Sequence, residues 1–246
     1  MKEKKDIAPV LQIENLRKSF GENHVLNGFS MELHKGENLV IMGKSGSGKS
    51  VMVKCLMHLL EPDSGTMRIL GKDVSQLTQT ELNNVRTQVG FLFQGSALYD
   101  SMTVRENLEF PLRTYPEKLK IKDELVIEAL ESVGLKHTID LMPDELSGGM
   151  KRRVALARTI ILKPYIIIYD EPTTGLDPIT AKEIIELMAS IQEKYGTSSL
   201  IITHDVDCAR VVSNRMILLI EGINYAEGTF AELSNSTDKK IKAFFK

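Results

Sequence analysis

The sequence predicts an α/β protein whose sheet is interrupted by a helical insert. Three observations carry that prediction. An apolar run, Asn38–Met42, leads straight into a glycine-rich loop. A second apolar run, 165–169, closes on the acidic pair Asp170 and Glu171. Between them, from about residue 95 to 163, the hydrophobic spacing changes from that of strands to that of helices.

Composition narrows the classes. The 246 residues carry 31 Lys+Arg against 33 Asp+Glu, a net charge of −2, with 42% hydrophobic and 26% charged residues. Such a chain can bury a sizeable core, which excludes wholesale disorder. The near-neutral balance argues against a nucleic-acid partner, which ordinarily demands a basic excess. The longest unbroken apolar runs, 165–169 and 216–220, are far shorter than the ~20 residues a bilayer requires, so no membrane span is expected. The opening MKEKKDIAPV has lysines with no apolar stretch behind them and does not read as a secretory signal. Two cysteines, Cys55 and Cys208, make neither a disulfide framework nor a CxxC pair, which fits a reducing cytoplasm.

Taken in order, the first ~90 residues read mostly as strands. Phe29, Met31 and Leu33 alternate, as do Met67 and Ile69. The insert begins near Gly95. Within it Leu125, Ala129, Leu130 and Val133 share one helical face that Gly134 stops, and a helix over 151–162 ends at Pro164. Strand 165–169 follows, then helix 179–195, opened by Asp177-Pro178 and closed by Gly196. Strand 199–203, helix 205–212 and a final strand, Arg215–Ile220, complete the alternation, with a turn at Glu221-Gly222.

The chemistry concentrates in a few places. Gly43-Lys44-Ser45-Gly46-Ser47-Gly48-Lys49-Ser50 matches GxxxxGK[ST] between a strand and a helix over 51–60. Glycines let successive backbone N–H groups turn inward around phosphate oxygens, and the helix adds its positive end. Lys49 is expected to reach the β- and γ-phosphates and Ser50 to ligate Mg²⁺. Two acids at the end of a buried strand are costly unless a cation or a reaction needs them. Beside a phosphate loop, Asp170 is therefore the expected magnesium partner, and Glu171 the base that deprotonates a water. Ser147, in Leu146-Ser147-Gly148-Gly149-Met150, is a good helix N-cap, and the glycines leave N–H groups open to an anion; a plain capped helix start satisfies the same residues. His204 and Gln94 each follow a strand-like run, 199–203 and 89–93, and in open α/β sheets ligands bind at such ends. On spacing alone, structural and functional roles stay open for both.

Together, in this order, these residues resemble the nucleotide-binding subunit of an ABC transporter, from Leu11 to about Leu233. In that family's terms 43–50 is Walker A with Val51 behind it, Gln94 the Q-loop, 146–150 the signature, Asp170 and Glu171 Walker B with its catalytic glutamate, 174–177 the D-loop and His204 the switch histidine. Phe20 falls where the family stacks an aromatic on adenine. Departures are Met150 for the usual glutamine, Lys44 for a frequent proline, Val51 for a frequent hydroxyl and Phe20 for tyrosine; none removes a charge or hydroxyl the hydrolytic step needs. The signature ending, Met142-Pro143-Asp144-Glu145, Asp177-Pro178-Ile179-Thr180 and the run 93–99 are similar to the maintenance-of-lipid-asymmetry (Mla) ATPases.

The resemblance implies a P-loop (RecA-like) α/β core over 1–94 and 164–233, with an N-terminal antiparallel β subdomain, an inserted α-helical subdomain over 95–163 and a tail over 234–246. It implies ATP and Mg²⁺ as cofactors, the metal held by Ser50, Gln94 and Asp170. Catalysis would fall to Glu171, His204 and Gln94. Nucleotide contacts would come from Phe20, Gly43, Lys44, Ser45, Gly46, Ser47, Gly48, Lys49, Ser50 and Val51, with Ser147, Gly148 and Gly149 supplied by a second copy. Further implied partners are a membrane permease, meeting the chain near Gln94 and 98–115, and a periplasmic lipid-binding protein, which places the chain on the cytoplasmic face of the inner membrane. The expected function is an ATPase powering phospholipid transport; the alternative is a nucleotide-gated module of a cell-division or lipoprotein-release complex. Ile241, Phe244 and Phe245 in the tail are expected either to dock on a partner or to pack on this domain.

Overall fold

The structure, a computed structural model, describes residues 8–245. Residues 1–7, on which the reading of the N-terminus rests, and Lys246 of the tail lie outside the described residues. The strands of the first half are β1 (Leu11–Phe20), β2 (Asn23–Leu33), β3 (Asn38–Met42), β4 (Ser64–Ile69) and β5 (Lys72–Asp73). Those of the second are β6 (Val89–Leu92), β7 (Ile166–Asp170), β8 (Ser198–Thr203), β9 (Arg215–Ile220) and β10 (Ile223–Gly228). The helices are α1 (Lys49–Leu56), α2 (Gln79–Arg86), α3 (Val104–Glu109), α4 (Pro116–Leu119) and α5 (Lys122–Ser132), then α6 (Gly148–Ile160), α7 (Pro178–Tyr195), α8 (Val206–Val212), α9 (Phe230–Ser234) and α10 (Lys239–Lys242).

Two sheets form. An antiparallel one runs β2-β1-β4-β5, and a six-stranded one runs β10-β9-β3-β8-β7-β6, parallel except for the edge strand β10. Every residue of β3 and β8 is buried, as parallel strands covered on both faces require. The strand period then divides the core in two. Val40, Met42, Ile167, Tyr169, Ile201, Met216 and Leu218 join the helical side, with Leu125, Leu130, Val154 and Ile184. Leu39, Ile41, Ile166, Ile168, Leu200, Ile202 and Ile217 join the other, with α1 and the antiparallel strands through Met52, Leu56, Leu11 and Phe29.

Strand order is what assembles the site. Met42 pairs with Thr203 and Asp170 with Ile202, so β3, β8 and β7 end level with one another, and β6 ends beside Tyr169. The segments after these strands carry the glycine loop, His204, Glu171 and Gln94 in one row.

The structure differs from the sequence expectation in a few elements. α6 starts at Gly148, three residues before the expected start, because Ser147 caps it by accepting from the Met150 N–H at 3.2 Å. α2 interrupts a region read as strands; its Thr78–Glu81 capping box was a legible helix-start signal. Arg215–Ile220 is not the last strand: β10 returns antiparallel to it through a two-residue hairpin, Ile223 pairing with Ile220. Of the two alternatives for the tail, the structure shows packing on this domain. Ile241 is buried, Phe244 and Phe245 lie against the helical-side core, and the Phe230 and Phe245 rings meet edge-on at 5.4 Å.

Candidate functional site

A cleft of about 570 Å³ opens at the ends of the parallel strands, lined by residues 44–51, Gln94, Asp170, Glu171 and His204, with Val25 from β2. The loop's shape depends on glycine. Gly48, at φ +101°, caps α1, and a Cβ there would meet the Val25 Cγ1 at 2.9 Å. Lys49 opens α1 yet is only 8% exposed, and its Nζ donates to the carbonyls of Gly43 at 2.6 Å and Lys44 at 3.1 Å. Burial pulls its pKa below the usual lysine range, against the opposing pull of Glu171 and Asp170.

Asp170 ends β7, and burial, reinforced by Glu171, pushes its carboxyl above the ordinary range although Lys49 and Lys54 oppose. Glu171 adopts φ +51°, a left-handed conformation that costs a non-glycine residue about 1–2 kcal/mol. Its backbone N–H donates to the Ile202 carbonyl at 2.8 Å, which pins the reversed backbone to β8. Its carboxylate is gripped on three sides: Oε2 accepts from Thr174 Oγ1 at 3.1 Å and lies 2.8 Å from His204 Nδ1, while Oε1 stands 4.0 Å from Lys49 Nζ. His204 is otherwise exposed, and Asp205 after it caps α8 while accepting from Thr173 Oγ1 at 2.9 Å.

The donor set fits magnesium. Ser50 hydroxyl, Gln94 amide and Asp170 carboxylate are hard oxygen donors, and a half-buried acid with a raised pKa is one that a cation would relieve. No group of three or more His, Cys, Asp or Glu able to cage a metal occurs among the described residues. The surroundings of Asp170 therefore disfavour its ionised form. The fold favours its protonated form, so the stability it contributes is present at acid pH and lost as pH rises through its raised pKa. Asp170→Asn is expected to raise the melting temperature by roughly 2 °C at neutral pH, with the gain vanishing in acid, while magnesium-dependent hydrolysis is lost. Calorimetry across pH checks the first part.

Not all expected site residues meet here. Gly43 contributes a carbonyl to Lys49 without lining the cleft. Phe20, half exposed at the end of β1, lies outside its lining, with Lys18 Nζ 5.5 Å from its ring centroid. Ser147, Gly148 and Gly149 sit at the start of α6 in the insert, away from the cleft of this chain. The sequence reading missed Val25, Thr173 and Asp205. Asp205 was findable as an Asp directly ahead of a helix; Val25 was not, because only sheet packing brings it to the loop.

A phosphate loop, a strand-end acid pair and a polar histidine around one cleft define a nucleotide-binding P-loop protein. The profile of the ABC transporter family matches residues 26–174. The chain belongs to that family and is an ATP-binding ATPase cassette, with ATP and magnesium as its cofactors. It is 37% identical over 223 residues, 90% of this chain, to the methionine import ATP-binding protein MetN of Brucella abortus (strain 2308), of whose length it spans 60%. It is 36% identical over 240 residues to the intermembrane phospholipid transport system ATP-binding protein MlaF of Haemophilus influenzae, covering 96% of this chain and 90% of that one. The ATP-binding cassette MJ0796, in a dimeric post-hydrolysis state bound to ADP and Pi, superposes with a TM-score of 0.78 at 31% identity over 89% of this chain and 98% of its own. No helix among the described residues is long and apolar enough to cross a membrane.

Proposed function

We propose that this chain powers phospholipid movement between membranes, working as a two-fold dimer bound to a permease at the cytoplasmic face of the inner membrane and served by a periplasmic lipid-binding protein. The observation that carries the lipid reading is the likeness to MlaF over nearly all of both chains, joined to the Met150 signature ending. Residues 1–94 and 164–233 act as the hydrolytic body, 95–163 as the coupling insert. The exposed aromatic pair Tyr99 and Phe110, centroids 4.7 Å apart, supports the insert as the permease contact.

On this reading Lys49 exchanges its two carbonyl partners for phosphate oxygens, and the amides of 43–50 with the start of α1 hold the rest. Ser50, Gln94 and Asp170 would hold magnesium, which when bound would supply positive charge against the phosphates. Glu171 takes the proton of the attacking water, and His204, already against it, turns to the γ-phosphate. Phe20 stacks on adenine. Ser147, Gly148 and Gly149 of a second copy complete each site, which the dimeric state of MJ0796 supports.

Purification in mild detergent with the bound lipids identified tests the transport reading: a co-purifying permease carrying phospholipid supports it, and an amino-acid permease without lipid overturns it. Ser147→Arg tests the shared site. It is expected to leave nucleotide binding by the monomer intact and to block the ATP-dependent dimer in light scattering; a normal dimer counts against the trans contact.

A further inference from the structure

Arg152, one turn into α6, is 3% exposed, yet no carboxylate among the described residues pairs with it. Its guanidinium serves main-chain carbonyls instead. Nη1 donates to the Phe93 carbonyl at 2.6 Å and Nη2, more weakly, to that of Thr174 at 3.4 Å, while Nε is buried without an acceptor. A guanidinium kept from water without a counter-charge is costly, and burial draws its pKa down. A feature maintained at such a cost calls for a role.

Its two partners are the ones that matter for hydrolysis. Phe93 directly precedes Gln94, and Thr174 is the residue whose hydroxyl donates to Glu171 Oε2. One side chain thus spans the backbone ahead of Gln94 and the segment that steadies Glu171. The helix that carries it is itself fixed to α7: a Cβ on Gly149 would meet Thr180 Cγ2 at 2.7 Å, and Arg153 pairs with Glu183. Beyond Gln94, Ser96 and Ala97 take the left-handed φ values +60° and +51°, and Arg158 of the same helix accepts the load of their carbonyls, donating at 3.2 and 2.7 Å. The Gln94 loop therefore hangs between two arginines of one helix, and only Arg152 reaches on to the Thr174 segment.

We propose that Arg152 is a positioning residue that ties the Gln94 loop to the Thr174 segment, so that Glu171 reaches its hydrolytic orientation only while that loop is docked on α6. The proposal rests on the reading of Glu171 as base and Gln94 as a ligand-sensing group. The planar guanidinium sets Nη1 and Nη2 apart, one for each of two separate chain segments, whereas the donors of a lysine ammonium all radiate from a single nitrogen.

The test compares wild type, Arg152→Lys, Arg152→Gln and each combined with Gln94→Ala, in the full-length protein. Arg152→Lys keeps the charge and is expected to bind ATP within about two-fold of wild type, because the binding loop is elsewhere, and to lose kcat by about tenfold, the effect of one charge-assisted hydrogen bond. KM is expected to stay within about two-fold. In the Gln94→Ala background the further loss is expected to be under about two-fold, because the two residues act through one connection. Wild-type kcat in Arg152→Lys, or full additivity with Gln94→Ala, overturns the proposal. So does a loss of kcat that merely tracks the folded fraction. Should both Arg152 variants fail to fold, amide exchange in the wild type decides: segments 93–97 and 173–176 gaining protection together as ATP is added supports the tie, and independent protection overturns it. Wild-type protein that binds no ATP overturns the functional reading itself, a result these variants cannot mimic.

Discussion

Glu171→Gln protein is expected to bind ATP, to accumulate as a closed dimer and to hydrolyse about 10²–10⁴-fold more slowly than wild type, the range that a positioned general base contributes. The substitution is nearly isosteric. Glutamine can still meet Thr174 Oγ1 and His204 Nδ1, and the backbone bond to the Ile202 carbonyl is untouched, so the reversed φ at this position stays pinned. What changes is proton affinity and charge. The 4.0 Å approach of Glu171 to Lys49 no longer joins opposite charges, which leaves the lysine freer to face phosphate. Binding therefore survives while the water loses its acceptor. Single-turnover hydrolysis alongside size measurement checks both halves, and rapid turnover by this variant would remove Glu171 from the role of base.

Lys49→Ala is expected to weaken ATP at least about 100-fold, below detection in an equilibrium titration, from the loss of charge-assisted contacts worth about 1.5–3 kcal/mol each. Two effects add. The only buried lysine among the described residues disappears from the cleft, and Asp170 and Glu171 are left facing a polyanion without it. Unchanged affinity would mean that the loop carries the phosphates on amides alone. The size of the effect also separates Lys49 from Lys44, which lines the same cleft but is exposed.

Most of this site was legible because its chemistry is local. The loop spelling, the Asp170-Glu171 pair at a strand end and the His204 and Gln94 positions each sit within a few residues of the element that defines them, and parallel strands align such ends automatically. The illegible parts are those made by distant segments. Val25 reaches the glycine loop from a different sheet, and nothing near it in sequence says so. Arg152 reads as one more charge on an amphipathic helix until its carbonyl partners are known. β10 was missed because its residues, half-buried at a sheet edge, lack a clean alternation, and the tail because its few apolar residues fit equally well on a partner or on this core.

The arrangement of the parallel strands bears on how the molecule can be cut. Gln94, Glu171 and His204 arrive from three stretches of chain that become neighbours only when β8 inserts between β3 and β7. A break in the long segment joining β6 to β7 therefore leaves the phosphate loop and Gln94 on one fragment and both acids with the histidine on the other. Neither piece owns a working centre, so a split version of this protein would report reassembly of its two halves directly through the return of nucleotide turnover.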